Sequence, residues 1–221
     1  MTKQATLQGL FGTPLYSSNI GRSYTKEETN FFENSKKHVR QNSSKVPNPT
    51  TNSYTGKNKK GTYILDLEKL STLRKDVMVH VQSYFEKIYA PNTDCSIYLT
   101  QSWINYTEEG QQHHAHFHSN SLVSGVVYLD ADKQHDGIIF FRPQNFYDRT
   151  IHIDPKQSEL NEFNAPKWDL PVETGDIVLF PSYLKHSVDT KNGKNTRTSL
   201  AFNTFVKGTI GGTFNLTELR L

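Results

Sequence analysis

The segment Gln112-His113-His114-Ala115-His116-Phe117-His118-Ser119-Asn120-Ser121 contains four of the nine histidines of the chain. Successive side chains of an extended strand point to opposite faces, so His114, His116 and His118 should share one face and His113 should lie on the other. A single histidine is most often an ordinary surface or core residue. Three at a spacing of two, with a further histidine in a later strand, instead favour a metal site, because imidazole is a common metal ligand.

Strand geometry limits which of these histidines can bind one ion. Same-face neighbours two apart are separated by about 6.5–7 Å, whereas residues four apart are separated by about 13 Å, too far for two imidazoles. The pair is therefore either His114 with His116 or His116 with His118, and the residues alone leave both open. The third ligand is expected to be His186, which follows the turn and buried strand of residues 175–181.

A buried anion site is predicted at Arg197, which begins a strand-like stretch in which Arg197, Ser199 and Ala201 share a face. An arginine that points into a barrel needs an anion, since burial of an unpaired guanidinium is costly. A dicarboxylate bound by the guanidinium fork and the Ser199 hydroxyl would be that anion. The alternative is an ordinary ion pair with an Asp or Glu at the barrel rim.

The fold class follows from many short strand-like segments that recur at intervals of about 8–12 residues, which is typical of a sandwich or barrel. The segments are residues 96–100, 102–106, 122–129, 137–141, 175–181, 186–188 and 197–206. Apolar residues at three- and four-residue steps predict one long helix over residues 66–89, with Asp66 as its N-cap. The chain is expected to be mainly β with flanking helices.

With 221 residues, the chain is expected to form one domain over residues 1–221. Residues 1–95 would contribute an edge strand near Leu7, Leu10, Leu15 and Tyr16, a polar loop and the supporting helix, and residues 96–221 the β core. Two polar segments, residues 25–60 and 143–170, are expected to be largely loops that frame a groove, with residues 26–32 as the candidate start of a helix. His135 and His152 are expected to be surface residues.

The formal net charge of +3 and the single cysteine limit the class of function and the cellular location that the chain can have. One cysteine excludes an internal disulfide and fits a reducing compartment, and no segment has the length and apolarity of a signal peptide or membrane span. The expected location is the cytoplasm, without membrane contact. Early basic residues make nucleic acid a lesser partner option, against the simpler interpretation of a solvated loop surface; they are Lys36, Lys37, Arg40, Lys57, Lys59 and Lys60.

The motifs together resemble the 2-oxoglutarate- and Fe(II)-dependent oxygenases, and most closely a branch found in bacteria and phages that is related to the prolyl 4-hydroxylases. The resemblance extends over about residues 7–219. It is carried by Trp103-x-Asn105, Gly110, His116-x-His118, Ser124-Gly125-x-x-Tyr128-Leu129, Phe180-Pro181, His186, Arg197-x-Ser199 and Asn203.

The resemblance implies a double-stranded β-helix, that is, a jelly-roll or cupin-like core. It implies Fe(II) on His116, His118 and His186, and 2-oxoglutarate on Arg197 with Ser199. Two tyrosines, Tyr106 and Tyr128, are candidates for cosubstrate contact, with ordinary core packing as the alternative for each. One feature departs from the family pattern, because the second ligand is usually a carboxylate and here that position is His118.

The activity implied is hydroxylation of a protein or peptide side chain, prolyl-like, with release of succinate and CO2. Ascorbate would be an optional reductant and a homodimer an optional assembly, in the cytoplasm of a bacterial or phage-infected cell. Two alternatives come from other classes. One is a non-catalytic cupin-like module that binds a metal such as Zn or Ni. The other is a structural protein of a virus particle, with the histidines at its surface.

Overall fold

The computed structural model describes residues 8–9, 11–37, 40–41, 47–53, 59–91, 94–143 and 153–221, and, of residues 40, 41, 59 and 60, the backbone only. The helices are α1 Lys26–Lys36 and α2 Ser71–Ile88. The strands, numbered in chain order, are β1 Tyr16–Asn19, β2 Arg40–Gln41, β3 Thr51–Asn52, β4 Ser96–Thr107, β5 His113–His116, β6 Val123–Asp130, β7 Gly137–Phe141, β8 Lys167–Pro171, β9 Asp176–Pro181, β10 His186–Val188, β11 Arg197–Lys207, β12 Thr209–Ile210 and β13 Leu219–Arg220.

Two antiparallel sheets form the core, one of seven strands in the order β1-β9-β6-β11-β4-β3-β2 and one of four in the order β5-β10-β7-β8. One apolar cluster includes Tyr128, Phe140 and Phe180 and joins the inner faces of the two sheets. Another packs the opposite face of the seven-stranded sheet against α2. Strand β6 is buried on both faces for this reason, which explains its continuous apolar run. The predicted mainly β fold with flanking helices and a double-stranded β-helix core is confirmed.

Helix α2 supports the larger sheet through Leu73, Val77, Val81 and Tyr84, all of which are buried. The predicted start at Asp66 is wrong. Residues Ile64–Asp66 and Glu68–Leu70 form two short 3-10 turns, and Leu67 between them is extended, with φ −71° and ψ 133°. Burial of Leu65 and Leu70 holds these turns in place, so the apolar stripe continues beyond the end of the regular helix.

The segment before α2 contains helix α1, which begins where residues 26–32 were the candidate start of a helix. Thr25 and Glu28 form a reciprocal capping box at the start of α1. Strand β1 lies at the edge of the larger sheet, as expected of that region, while Leu7 and Leu10 fall outside the described residues. The short strand β3 extends the sheet beside β4, where Asn52 lies opposite Asn105.

Of the six basic residues singled out in this region, the structure describes the side chains of Lys36 and Lys37. Lys36 pairs with Glu108 at 2.7 Å. Lys57 lies outside the described residues, as do the side chains of Arg40, Lys59 and Lys60. In the part of the chain that the structure describes, no helix is both long and apolar enough to cross a membrane.

The polar insert of residues 143–170 contains a strand that the sequence analysis did not predict. Strand β8 pairs with β7 at the edge of the four-stranded sheet, with Trp168 opposite Phe140. Four of its five residues are exposed, so the stretch has no apolar alternation to mark it. Its pairing with β7 is a tertiary effect.

A substitution at Gly125 tests the packing between β6 and β11. A Cβ at this position would lie 2.2 Å from Cζ of Phe202 and 2.6 Å from Cδ2 of Leu179. We expect Gly125→Ala to lower the free energy of unfolding by about 1–3 kcal/mol, the usual cost of overpacking. Gly12→Ala is the control, because no atom lies within 4 Å of its Cβ. Equal urea midpoints for the two variants would show that Phe202 does not pack on Gly125 in solution.

Candidate active site

A cavity between the two sheets collects most of the polar groups singled out from the sequence. It is lined by His113, His116 and His118 of the β5 region, by His186 at the start of β10, and by Arg197 and Ser199 at the start of β11. Apolar lining comes from Val126, Ile138 and Phe180. The cavity therefore has an apolar body with a few convergent polar groups, as ligand sites do.

His116, His118 and His186 come together at one point of this cavity. His186 lies directly opposite His116 in the pairing of β10 with β5. The Nε2 atoms of His118 and His186 are 3.3 Å apart, and one ring nitrogen from each of the three imidazoles lies within 4.8 Å of the others. Three nitrogens at this separation can bind one transition-metal ion, for which metal–nitrogen distances are about 2.0–2.1 Å.

Hydrogen bonds to the backbone set the tautomers of two of these rings. Nδ1 of His116 lies 2.8 Å from the carbonyl oxygen of His114, and Nδ1 of His186 lies 2.9 Å from that of Leu184. A carbonyl oxygen only accepts, so each Nδ1 must carry the proton and each Nε2 keeps its lone pair. This is the usual outer contact that orients a metal-binding histidine.

Burial also keeps these imidazoles in the form that binds metals. Loss of solvation, with a smaller effect of the nearby His116, lowers the pKa of His118 to about 4. Burial likewise lowers the pKa of His116 and places that of His186 well below its usual value. All three rings are therefore neutral near pH 7, which is the state that a metal ligand requires.

His113 faces the cavity, contrary to the prediction that it would lie on the opposite face. Its ring stacks on that of His116, with centroids 4.5 Å apart and planes at 22°. The reason is a change of register, since residues 113 to 116 of β5 stand opposite residues 186 to 188 of β10. The extra residue in β5 reverses the alternation between His113 and His116.

His114 belongs to a second group of imidazoles rather than to the one that contains His186. Ring nitrogens of His113, His114 and His116 lie within 4.8 Å of one another. Of the two pairs that strand geometry left open, only His116 with His118 forms a group with His186 among the described residues.

Arg197 and Ser199 are both buried, with 3% and 2% of their surface exposed. Within the described part of the chain, no carboxylate lies within ion-pairing distance of the Arg197 guanidinium, and its Nε has no hydrogen-bond partner. The guanidinium carbon lies 5.1 Å from the ring centroid of Tyr128. Among these residues, Arg197 therefore has no acidic partner for the ion pair at the rim, which was the alternative interpretation.

The two candidate tyrosines have different environments. Tyr128 lies between the sheets beside Arg197, and its buried hydroxyl has no partner among the described residues. Tyr106 does not reach the cavity, because it packs in the cluster on the α2 side and its hydroxyl donates to the carbonyl oxygen of Phe32 at 2.7 Å. On β4 the cavity-facing residues are Trp103, Asn105 and Thr107. Tyr106 alternates with them, so of its two interpretations the structure favours ordinary core packing.

The sequence analysis missed two polar residues of the cavity, Thr107 and Thr50. Each has a buried hydroxyl without a partner in the described residues. Extending the alternation from Trp103 and Asn105 by one step would have found Thr107. Nothing in the sequence marks Thr50, which reaches the cavity because β3 pairs with β4 and residue 49 bridges to Gln112. His135 is exposed away from the cavity, and His152 lies outside the described residues.

Residues 101–203 match the model of a family described as putative 2OG-Fe(II) oxygenases, where 2OG is 2-oxoglutarate. No curated protein matches this chain. Among solved structures, an oxidoreductase of the 2OG-Fe(II) oxygenase family from Burkholderia pseudomallei is 13% identical, with 87% of this chain and 84% of that chain covered and a TM-score of 0.53.

Two further structures share the fold at similar identity. HygX from Streptomyces hygroscopicus, solved with nickel, 2-oxoglutarate and hygromycin B bound, is 12% identical over 91% of this chain and 84% of that chain, with a TM-score of 0.55. A prolyl-4-hydroxylase from Pseudomonas putida is 11% identical over 86% of this chain and 92% of that chain, with a TM-score of 0.51.

The family match covers β5, β6, β9 and β10, all of β4 from residue 101 and β11 as far as residue 203, and so contains every histidine of the cavity and both Arg197 and Ser199. Residues 101–203, slightly less than half of the chain, are therefore similar to the putative 2OG-Fe(II) oxygenases, and the chain shares the fold of the solved oxygenase structures.

Proposed function

We propose that this protein is a 2-oxoglutarate-dependent dioxygenase that hydroxylates a side chain of a protein or peptide, with release of succinate and CO2. One observation carries the proposal. Three imidazoles whose nitrogens converge share one cavity with a buried guanidinium that has no acidic partner among the described residues. The first group fits a metal cation and the second fits a carboxylate, and the family's two cofactors are of these kinds.

The residues present fit Fe(II). Imidazole nitrogen is a suitable ligand for iron, and His116, His118 and His186 would hold the ion from one side. Their outer hydrogen bonds to the carbonyls of His114 and Leu184 keep two of the rings oriented. When bound, iron and 2-oxoglutarate together supply the activation of O2 that is coupled to oxidative decarboxylation of the cosubstrate.

The residues present also fit 2-oxoglutarate. Arg197 would bind the distal carboxylate through two parallel N–H donors, and Ser199, two residues further on the same face of β11, would add a hydroxyl. Tyr128 offers a further buried hydroxyl beside the guanidinium. Binding would supply partners to groups that are otherwise buried without one, which favours the loaded state.

Aromatic rings in the lining and directly behind it would exclude water from the site. Phe180 packs against the ring of His186 with centroids 4.7 Å apart, and Phe140 packs against Phe180 at 5.0 Å. The indole of Trp103 lies against His118 at 5.8 Å. These rings restrict the motion of two ligands and strengthen electrostatic contacts inside the cavity.

The choice of a protein or peptide substrate is supported by the fold shared with the prolyl-4-hydroxylase. The structure of HygX contains hygromycin B, so a small-molecule substrate is the second option, and nucleic acid is a lesser one. A cytoplasmic location and a homodimer complete the proposal.

An anaerobic titration tests the cofactor part of the proposal. Fe(II) and 2-oxoglutarate added together should produce a weak visible charge-transfer band that neither produces alone. Under air, succinate should then form in proportion to the O2 consumed. The matched control is the same protein loaded with Zn(II), which should give neither signal. Stoichiometric metal binding without succinate would favour the non-catalytic metal-binding module, and absence of metal binding would favour a structural protein.

A further inference from the structure

The cavity has an unusual set of charges. Among the residues that line it, Arg197 is a full cation and, within the described part of the chain, no aspartate or glutamate is present. The imidazoles contribute no negative charge either, since a histidine binds a metal as the neutral ring. Every anion that balances this cavity must therefore come from a ligand.

The cosubstrate alone does not balance these charges. The count of charges rests on the function proposed above. A divalent metal ion and Arg197 contribute three positive charges, and 2-oxoglutarate contributes two negative ones. One positive charge remains, because His118 stands where a carboxylate ligand would have supplied the third negative charge. An uncompensated charge in a buried site is costly, so the loaded site should attract one further anion.

Polar donors are available for that anion on segments other than β11, the strand of Arg197 and Ser199. His113 Nδ1 and Thr50 Oγ1 both line the cavity, are buried, and have no hydrogen-bond partner among the described residues. Thr50 lies just before β3 and His113 begins β5, and the two segments are joined by a hydrogen bond from the Thr50 amide to the Gln112 carbonyl at 3.1 Å. His113 stacks on His116, so the wall that these two segments form is adjacent to the metal site.

We propose that the loaded site binds a second carboxylate, carried by the substrate, on the wall formed by His113 and Thr50. The substrate class is thus a small molecule or side chain that bears a carboxylate close to the carbon that reacts. A free carboxylate anion has the same chemistry, and the experiments below separate these two sources.

Formate and formamide provide the first test, since they are nearly equal in size and differ in charge. Each is titrated anaerobically into protein saturated with Fe(II) and 2-oxoglutarate, by calorimetry and by the charge-transfer band. Formate should bind at least tenfold more tightly than formamide and leave the band in place. Equal affinities, or loss of the band because formate displaces 2-oxoglutarate, would overturn the inference while leaving the function intact. A band that never forms would overturn both.

Variants locate the carboxylate. Thr50→Val removes the hydroxyl without a change of shape and His113→Phe keeps a ring to stack on His116, and each should weaken formate binding about tenfold. Thr51→Val is the matched control, because the Thr51 hydroxyl donates to the Tyr106 carbonyl at 3.3 Å. Its formate affinity should equal that of the unmodified protein. If Thr50→Val and Thr51→Val behave alike, the proposed wall is wrong.

His118→Asp tests the charge argument in the opposite direction. It supplies the missing negative charge while His113 and Thr50 stay in place. Formate should therefore bind at least tenfold more weakly, although no group that donates a hydrogen bond to formate is removed. Unchanged formate affinity in a variant that still binds Fe(II) and 2-oxoglutarate would contradict the charge argument.

The source of the carboxylate is tested with peptides that carry Glu or Asp and with the same peptides carrying Gln or Asn. Succinate formation at least tenfold faster with the acidic members supports a substrate-borne carboxylate. If added formate speeds succinate formation with the Gln and Asn peptides, the same position is supported, with a free anion as its occupant. Preference for the amide members without any effect of formate would overturn the proposal.

Discussion

His118→Ala should weaken Fe(II) binding by at least about 100-fold, equivalent to about 2.7 kcal/mol, whereas His114→Ala should change it by less than tenfold. The first substitution removes a nitrogen that lies 3.3 Å from Nε2 of His186. The second keeps the His114 atom that accepts a hydrogen bond from the His116 ring, because that atom is the backbone carbonyl oxygen. Anaerobic competition with a colorimetric Fe(II) chelator measures both dissociation constants.

The reverse order of effects would identify a different metal site. His113, His114 and His116 form the second convergent group, and a metal bound there would depend on His114 and not on His118. His135→Ala is a matched control, because this histidine is exposed and lies outside the group. It should leave the dissociation constant unchanged.

Arg197→Met should raise the dissociation constant of 2-oxoglutarate by at least about 100-fold, because it removes a buried, charge-assisted pair of hydrogen bonds. It should not destabilise the protein without cosubstrate. The described residues supply no acidic partner for this guanidinium, so methionine replaces an unpaired buried charge with an apolar side chain of similar length. Calorimetric titration and thermal unfolding of the same sample measure the two effects.

Arg197→Lys distinguishes charge from geometry in the same experiment. It retains the cation but loses the planar fork, so cosubstrate affinity should fall by an intermediate factor of about tenfold. Arg220→Met serves as the control for loss of one positive charge, because its side chain is 82% exposed. If Arg197→Met binds 2-oxoglutarate normally, the anion lies elsewhere in the cavity.

The site residues that could be predicted are those with a local pattern. His116 and His118 are two apart in one extended segment, and Arg197 and Ser199 are two apart in another, so the period of a strand places each pair on one face. The structure shows these four side chains in one cavity with His186. Their roles in binding metal and cosubstrate remain predictions, which the variants above test.

The two predictions of side-chain direction that the structure does not support, for Tyr106 and His113, both involve the alternation of a strand. Tyr106 was selected by its distance along the chain from His116, yet it alternates with Asn105 and Thr107 and so faces α2. His113 was placed by regular alternation, which the register change opposite His186 and Val188 reverses. Bulges depend on the partner strand, and so a single segment does not reveal them.

The periodicity of the chain was therefore sufficient for the fold class, for the helix that supports the sheet apart from its start, and for the shared face of Arg197 and Ser199 on β11, because these depend on contacts within a few residues. Only the tertiary structure decided that His186 stands opposite His116, that Thr50 and His113 reach the same cavity, and that Arg197 has no acidic partner among the described residues. Each of these depends on which strands pair and in which register, and that choice is made by burial of both sheets against each other rather than by any one segment.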